Sequence, residues 1–481
     1  MNLQQEKKEW FGNIRSDILA GLVSSFAVIP EVVGFCIVAG ISPMMGLYAS
    51  FWLTVLLAFL GGRPAMISAA AGSMALVIVS LVRDYGPEYL MLATILCGII
   101  MLIFGILGIG NLLKLIPDTV RIGFVDALAI LIFSSQLGNF EGESWPMFAL
   151  VLLGIVIIYA FPYLTTAVPS TLITVIVVTA ISILGHVDVR TIGDMGTITA
   201  SLPPFHIPDV PLTIDTFLIV LPYSFSLAIV GLSESLLTSK VIDEMTDSQS
   251  DRNRECRGLG IANIVSGFFS GTCGCAMIGQ AIVNVNSGGR GRLSNLVSGS
   301  FLMVLIFLLN DLMVQIPLAA LTAVMITVSI STFDWGALRR LHRMPKSDAL
   351  VILLVVAVVV ATNNLAYGVI LGLALTAIFF SYKMAGMQVK EQRDRDTIVY
   401  SVEGQLFFAS AESFTNALDF HNDSRTVILD LSGARIWDES AASAIRGALH
   451  HFENNSNQVQ IRGIDGSSCG LVRRLYGMDE F

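Results

Sequence analysis

Apolar residues dominate the chain from residue 17 to residue 384, broken only by short polar or glycine-rich gaps. The runs predict fourteen spans, near 17–38, 44–60, 72–83, 89–112, 121–138, 145–161, 166–184, 215–240, 257–270, 279–287, 294–310, 312–332, 347–362 and 367–384. Most are long enough for a hydrocarbon core of about 30 Å. Two are interrupted. One opens with Ile67-Ser68-Ala69-Ala70-Ala71-Gly72-Ser73, the other with Gly271-Thr-Cys-Gly-Cys-Ala-Met-Ile-Gly279-Gln280. Each leaves only about ten residues for a helix, roughly 15 Å or half a bilayer. A half-helix starts at mid-membrane with its first N–H groups unpaired and its positive dipole end beside them. Hydrocarbon forbids that end unless it faces a cavity. Two such segments in corresponding halves of a membrane protein point to a transporter's anion site.

Lysine and arginine then orient the spans. With the N-terminus in the cytoplasm, the inside loops hold Arg63; Lys114 and Arg121; Lys240, Arg252, Arg254 and Arg257; Arg290 and Arg292; and Arg339, Arg340, Arg343 and Lys346. Outside loops hold Arg83 and Arg190 alone. That asymmetry supports the count of fourteen. The proline-containing loop 185–214 separates two sets of seven spans. Seven is odd, so the second set enters from the opposite side and the repeats are inverted. The expected organisation is a cytoplasmic segment 1–16, a transport domain 17–384 (repeats 17–184 and 215–384), a charged linker 385–396 and a soluble domain 397–481. The last reads β-α-β-α-β-α, with LVRRLYG opening its third helix and little chain left beyond it.

Composition agrees with a membrane class: 54% of residues are hydrophobic and 14% charged, against about a quarter charged in soluble domains. A net charge of −9 offers no basic field for nucleic acid. Cys273-Gly-Cys275 has neither the spacing nor the partner ligands of a metal site. The six histidines lie outside the spans, which argues against a histidine proton relay. Residues 1–16 lack the apolar core of a cleaved signal.

Four stretches resemble a known family. DILAGLVSSFAVIPEVVGFCIVAGISPMMGLYAS (17–50), ISAAAGSMALVI (67–78) and GLSESLLTSKVIDEMT (231–246) with NRECRGLGIANIVSGFFSGTCGCAMIGQAIVNVNSGGRGRLS (253–294) are similar to SulP anion transporters, and the tail resembles a STAS domain. The family includes sulfate, bicarbonate and dicarboxylate transporters and prestin. The resemblance implies a core domain and a gate domain, with the anion between half-helices three and ten.

It also implies roles for residues. Glu31, Phe35, Ala71, Gly72, Ser73, Gly279 and Gln280 fall at substrate-site positions. Glu234 matches an acidic residue used for ion coupling, Thr238 its associated hydroxyl, and the backbone at Ala276, Met277 and Ile278 the remaining ligands. A carboxylate inside a span must pair, titrate or face water. Gln280 stands where many members have Arg, so anion attraction falls to the helix ends and neutral donors. Ser68 is a further nearby hydroxyl. Asp126 reads as a helix-end partner of Arg121. In the tail, Asp438 matches the STAS loop-helix motif, but Glu439 replaces the phosphorylatable residue, and Ser440 reads as a helix cap.

The expected function is therefore secondary active transport of sulfate, bicarbonate or a dicarboxylate. A proton couples through Glu234, with sodium at Glu234 and Thr238 as the alternative. No enzyme chemistry, cofactor or other metal is expected. A nucleobase–proton symporter shares the fold but places a second acid where Gln280 stands; an anion channel is a further alternative. Expected partners are the anion, the bilayer, a second copy in a homodimer and a regulator at the STAS domain. The expected location is the inner membrane, with both termini cytoplasmic.

Overall fold

The computed structural model describes residues 3–111, 117–165, 169–194, 201–211, 213–362, 365–394, 396–422 and 426–463. The predicted third helix of the tail, and Cys469, lie outside them.

An amphipathic helix α1 (Leu3–Phe11) packs Trp10 on Phe59, ring centroids 5.0 Å apart. The next elements are α2 (Ile14–Ala39), α3 (Pro43–Leu60), strand β1 (Ser68–Ala69), α4 (Gly72–Tyr85), α5 (Pro87–Ile106), α6 (Asp118–Leu137), α7 (Trp145–Ala160) and α8 (Ser170–Leu184). After the loop come α9 (Ile214–Thr246), α10 (Arg252–Phe268), β2 (Cys275–Ala276), α11 (Ile278–Asn286), α12 (Arg292–Val314), α13 (Leu318–Thr332), the short α14 (Trp335–Arg340), α15 (Lys346–Thr362) and α16 (Leu365–Met384). Each predicted span contains one of these helices. Among the described residues, eight helices are long and apolar enough to cross a membrane unaided. Local chemistry moves some boundaries. Asp251 caps α10 by accepting from Arg254 N, so the helix starts five residues before the predicted 257. Pro317 caps α13, so residues 312–314, assigned in sequence to the twelfth span, finish α12.

The helices sort into two bundles. α2–α5 pack with α9–α12, while α6–α8 pack with α13 and α15. β1 and β2 pair antiparallel, Ser68 with Ala276 and Ala69 with Cys275.

Irregular backbone at membrane depth needs internal partners. Residues 61–69 find them on Glu255 Oε2, which accepts from Gly62 N at 2.7 Å, and on Asn284 and Asn295, whose amides donate to Ala65 O and Met66 O at 2.9 Å each. In the other loop Asn263 takes both sides of one peptide residue: Gly274 N donates to its Oδ1 at 2.9 Å, and its Nδ2 donates to Gly274 O at 3.1 Å. Arg292, 3% exposed, pairs with Glu9 at 2.7 Å and donates to Ala58 O and Gly61 O.

The tail forms a four-stranded sheet in the order β3-β4-β5-β6: Gln388–Asp394, Thr397–Leu406, Thr426–Ile436 and Gln458–Arg462. Helices α17 (Ala411–Asn416) and α18 (Glu439–Asn454) make the two parallel crossovers. Alternate residues Ile398, Tyr400 and Val402 of β4 face a core shared with Phe414, Ile445 and Phe452.

Two expectations for the tail are corrected. The charged segment 385–396 is not a linker, because β3 pairs antiparallel with β4 from Gln388↔Glu403 to Asp394↔Thr397. It is an edge strand exposed along most of its length, and its charges suit an edge that must not recruit another strand. Ser440 does not cap α18; Asp438 does, accepting from Ala441 N at 2.9 Å. The expected Asp126–Arg121 pair is also absent. Arg121 pairs with Asp118, one turn earlier on its own helix face, while the buried Asp126 accepts from Asp334 N at 2.7 Å.

The Asn263 clamp yields a stability expectation. Asn263→Leu keeps the volume but strands two buried backbone groups, at about 1–3 kcal/mol each. The detergent-purified variant should melt several degrees below wild type; an unchanged midpoint would show that the loop is held by other contacts.

Candidate functional site: a cavity between two half-helix ends

The N-termini of α4 and α11 border one cavity of about 170 Å³. α4 begins after Ala71 and α11 after Met277, both in extended conformation, and no side chain caps either helix. The orphan amides of both first turns therefore lie at the cavity wall without a built-in acceptor. β1 and β2 explain why the ends converge, since at most two residues separate each half-helix from a strand of the same ladder.

Every residue expected at the substrate site lines this cavity: Glu31, Phe35, Ala71, Gly72, Ser73, Gly279 and Gln280. Phe35 lies so close to α4 that a Cβ on Gly72 would sit 2.4 Å from its ring. Gly72 thus has glycine because an aromatic wall occupies the side-chain space. Gly279 has it for a different reason: a Cβ there would meet nothing within 4 Å, so the position opens on the cavity. Gln280, 2% exposed, lines the same cavity as Glu31.

Glu234 reaches the same cavity from α9. Its Oε2 accepts from the Ser73 hydroxyl and, at 3.3 Å, from the Cys275 thiol. One carboxylate oxygen therefore ties α9 to the first turn of α4 and to β2. The adjacent Ser235 hydroxyl accepts from Ala276 N at 3.0 Å, which fixes the same strand. Met277 and Ile278 line the cavity, while Thr238 and Ala276 do not. The Thr238 hydroxyl donates to Glu234 O at 2.8 Å, satisfying its own helix. Ser68 leaves its hydroxyl without a partner, and its carbonyl accepts from Thr54 at 2.5 Å.

The opposite wall comes from the second bundle: Phe124, Val125 and Leu128 of α6, and Val328, Ser331 and Thr332 of α13. Sequence reading missed these, and it also missed Cys275. Position 275 directly precedes the proposed ligand run, and its thiol matters as a hydrogen-bond donor, not as half of a metal pair. A second cavity, about 710 Å³, follows the same three helices α4, α6 and α9 further along, with Ser80, Arg83, Ser134, Tyr223 and Ser226 among its lining.

With this geometry in place, similarity to known proteins becomes interpretable. The model of the sulfate permease family matches residues 14–145 and 143–356. This chain belongs to the sulfate permease family. A STAS-domain model matches residues 388–475. The chain is 52% identical over 470 residues, 98% of each sequence, to the putative sulfate transporter YbaR of Bacillus subtilis (strain 168). It is 26% identical to the bicarbonate transporter BicA of Synechocystis, over 98% of this chain and 92% of that one. The solved transmembrane domain of a cyanobacterium BicA superposes with a TM-score of 0.68 at 26% identity, covering 75% of this chain and 98% of that chain. Murine Slc26a9 shares the fold, with a TM-score of 0.84 at 19% identity over 96% of this chain and 88% of that one. The protein is a multi-pass membrane transporter with a C-terminal STAS domain, and its family consists of transporters, not enzymes.

The two glycines at the half-helix starts separate stability from site shape. Gly72→Ala forces Phe35 to move and should lower the melting midpoint, while Phe35→Leu in the same chain should recover part of the loss. Gly279→Ala enters open space, so its melting should match wild type to within about 0.5 kcal/mol. Its methyl narrows the cavity, and the KM for the carried anion should rise. Equal melting of the two variants would disprove the contrast.

Proposed function

We propose that this protein is a secondary active transporter of a small oxyanion or carboxylate, coupled to protons through Glu234. The observation that carries the reading is one cavity on the seam between two bundles, bordered by two uncapped helix N-termini. Such ends bind anions with backbone donors and a dipole of about half a charge each. Relatives named for sulfate and bicarbonate transport fit the same chemistry. The seam position suits alternating access, in which the α2–α5/α9–α12 bundle carries the site past the α6–α8/α13/α15 bundle. The larger cavity along the same helices would be the aqueous approach from one side.

Proton coupling is favoured over sodium by the company Glu234 keeps. Its contacts, Ser73 hydroxyl and Cys275 thiol, act as donors, and Thr238 turns its proton toward a carbonyl. Sodium needs several oxygen ligands with lone pairs directed at one point. A carboxyl that gains a proton also stops repelling the arriving anion. The nucleobase alternative is disfavoured because α11 presents Gln280 and no acid. We further propose fourteen crossings in two inverted repeats, 17–184 and 215–384, with both termini on the cytoplasmic side of the inner membrane. Homodimer contacts and regulation are assigned to the STAS domain.

Two experiments follow. In proteoliposomes, an inward proton gradient should drive concentrative uptake of at least one of sulfate, bicarbonate and a dicarboxylate. Glu234→Gln should abolish pH-driven accumulation while retaining measurable anion exchange. Uptake that follows sodium and ignores pH would assign Glu234 to sodium instead, and purely passive conductance would indicate a channel. For topology, membrane-impermeant thiol reagents applied outside should label cysteines placed in 201–211 and leave 247–251 and 400–420 unlabelled. Labelling of the tail from outside would overturn the orientation.

A further inference from the structure

Resting on the proton-coupled reading, we propose that Glu31 is a second proton-carrying carboxyl, so that each anion enters with two protons. The starting observation is a charge imbalance. Two carboxylates, Glu31 and Glu234, line the cavity, and no lysine, arginine or histidine does so among the described residues. The two helix ends contribute about half a positive charge each. With both acids ionised the site is net negative before any anion arrives. One proton brings it to neutrality. Two protons leave it net positive, and only that state attracts an anion by charge.

Nothing nearby removes the negative charge of Glu31 by pairing. Gln280, which lines the same cavity, is neutral. The elements packed against α2 offer no cation at this depth. α11 and α13 carry no ionisable residue. On α4, Arg83 and Asp84 sit in the last turn and pair with each other at 2.9 Å. On α6, Asp126 accepts from Asp334 N, and on α12, Arg292 is committed to Glu9, Ala58 and Gly61. On α3, the Tyr48 hydroxyl is bonded to Ser201. On α2 itself, Asp17 accepts from Arg290 N and Gly291 N at the other end of the helix. A permanently ionised Glu31 would repel every substrate molecule. A Glu31 that takes up a proton with the anion and releases it on the other side turns that repulsion into coupling. An amide such as that of Gln280 suits both forms, since it can donate to a carboxylate or accept from an acid.

The test is stoichiometry in the full-length protein. Vesicles of phosphatidylethanolamine and phosphatidylglycerol hold equal potassium on both sides with valinomycin, which clamps the membrane potential at zero. Labelled sulfate is the probe, or labelled succinate if sulfate is not carried, with both compartments above pH 7 so that the probe is fully ionised. At equilibrium, two protons per anion give about a 100-fold accumulation per pH unit, and one proton gives about 10-fold. Wild type should follow the steeper law, Glu31→Gln the shallower one, and Glu31→Asp should restore the steeper. A purely positioning role for Glu31 would change KM or rate in Glu31→Gln and leave the slope at about 100-fold, which overturns the proposal. A wild-type slope of about 10-fold overturns it even if Glu31→Gln does not fold. A wild-type slope of zero rejects the proton-coupled reading itself, a different failure from the other two.

Discussion

A backbone amide inside hydrocarbon has no water to fall back on, and that constraint organises the transport domain. Two chain segments stop being helical at membrane depth, between residues 61 and 71 and between 269 and 277. Each exposed peptide group must then be matched inside the protein. The solution is shared between the two halves of the sequence. β1 and β2 bond to each other, Asn284 and Asn295 serve the first loop, and Thr54 and Ser50 serve β1 and its exit. The first-turn amides of α4 and α11 have no side-chain cap, and they border the cavity.

That economy explains which parts were legible in the sequence. Half-helices announce themselves by small residues followed by a short apolar run, a local signal that survives without any knowledge of packing. The expectation of inverted repeats rests on counting spans and basic loops. The positions expected at the substrate site come from resemblance to family motifs, and all of them line one cavity. What stayed hidden was pairing across long separations. Nothing local says that Ser73 donates to Glu234, 161 residues away, or that Asp126 accepts from Asp334, 208 away. The second wall of the cavity was hidden for a related reason. Phe124 and Val328 look like ordinary span residues until the bundles are placed against each other.

The tail shows a complementary blind spot. QVKEQRD has the composition of a linker, and composition was taken over pattern. An edge strand needs partners on one side only, and its solvent side is best made charged. Seven residues of alternating pairing with β4 therefore carry almost no hydrophobic signal. Asp438 was recognised as a motif residue yet not as the cap of α18, a role that follows from its short side chain reaching the Ala441 amide.

The replacement of a family arginine by Gln280 gains meaning from the cavity's charge. At an effective dielectric of about 20, a unit charge roughly 5 Å away contributes about 3 kcal/mol. An arginine would supply that attraction at every pH, and an acid opposite it would be held ionised. Glutamine supplies directed donors without the charge. Attraction then depends on two fixed half-charges at helix ends, opposed by whichever of Glu31 and Glu234 is ionised. Small fixed terms opposed by large switchable ones make occupancy sensitive to protonation. A site built this way gives up pH-independent affinity, and in exchange its affinity can differ between two faces of a membrane whenever their proton concentrations differ. That difference in affinity is what a secondary transporter needs in order to move an anion against its gradient.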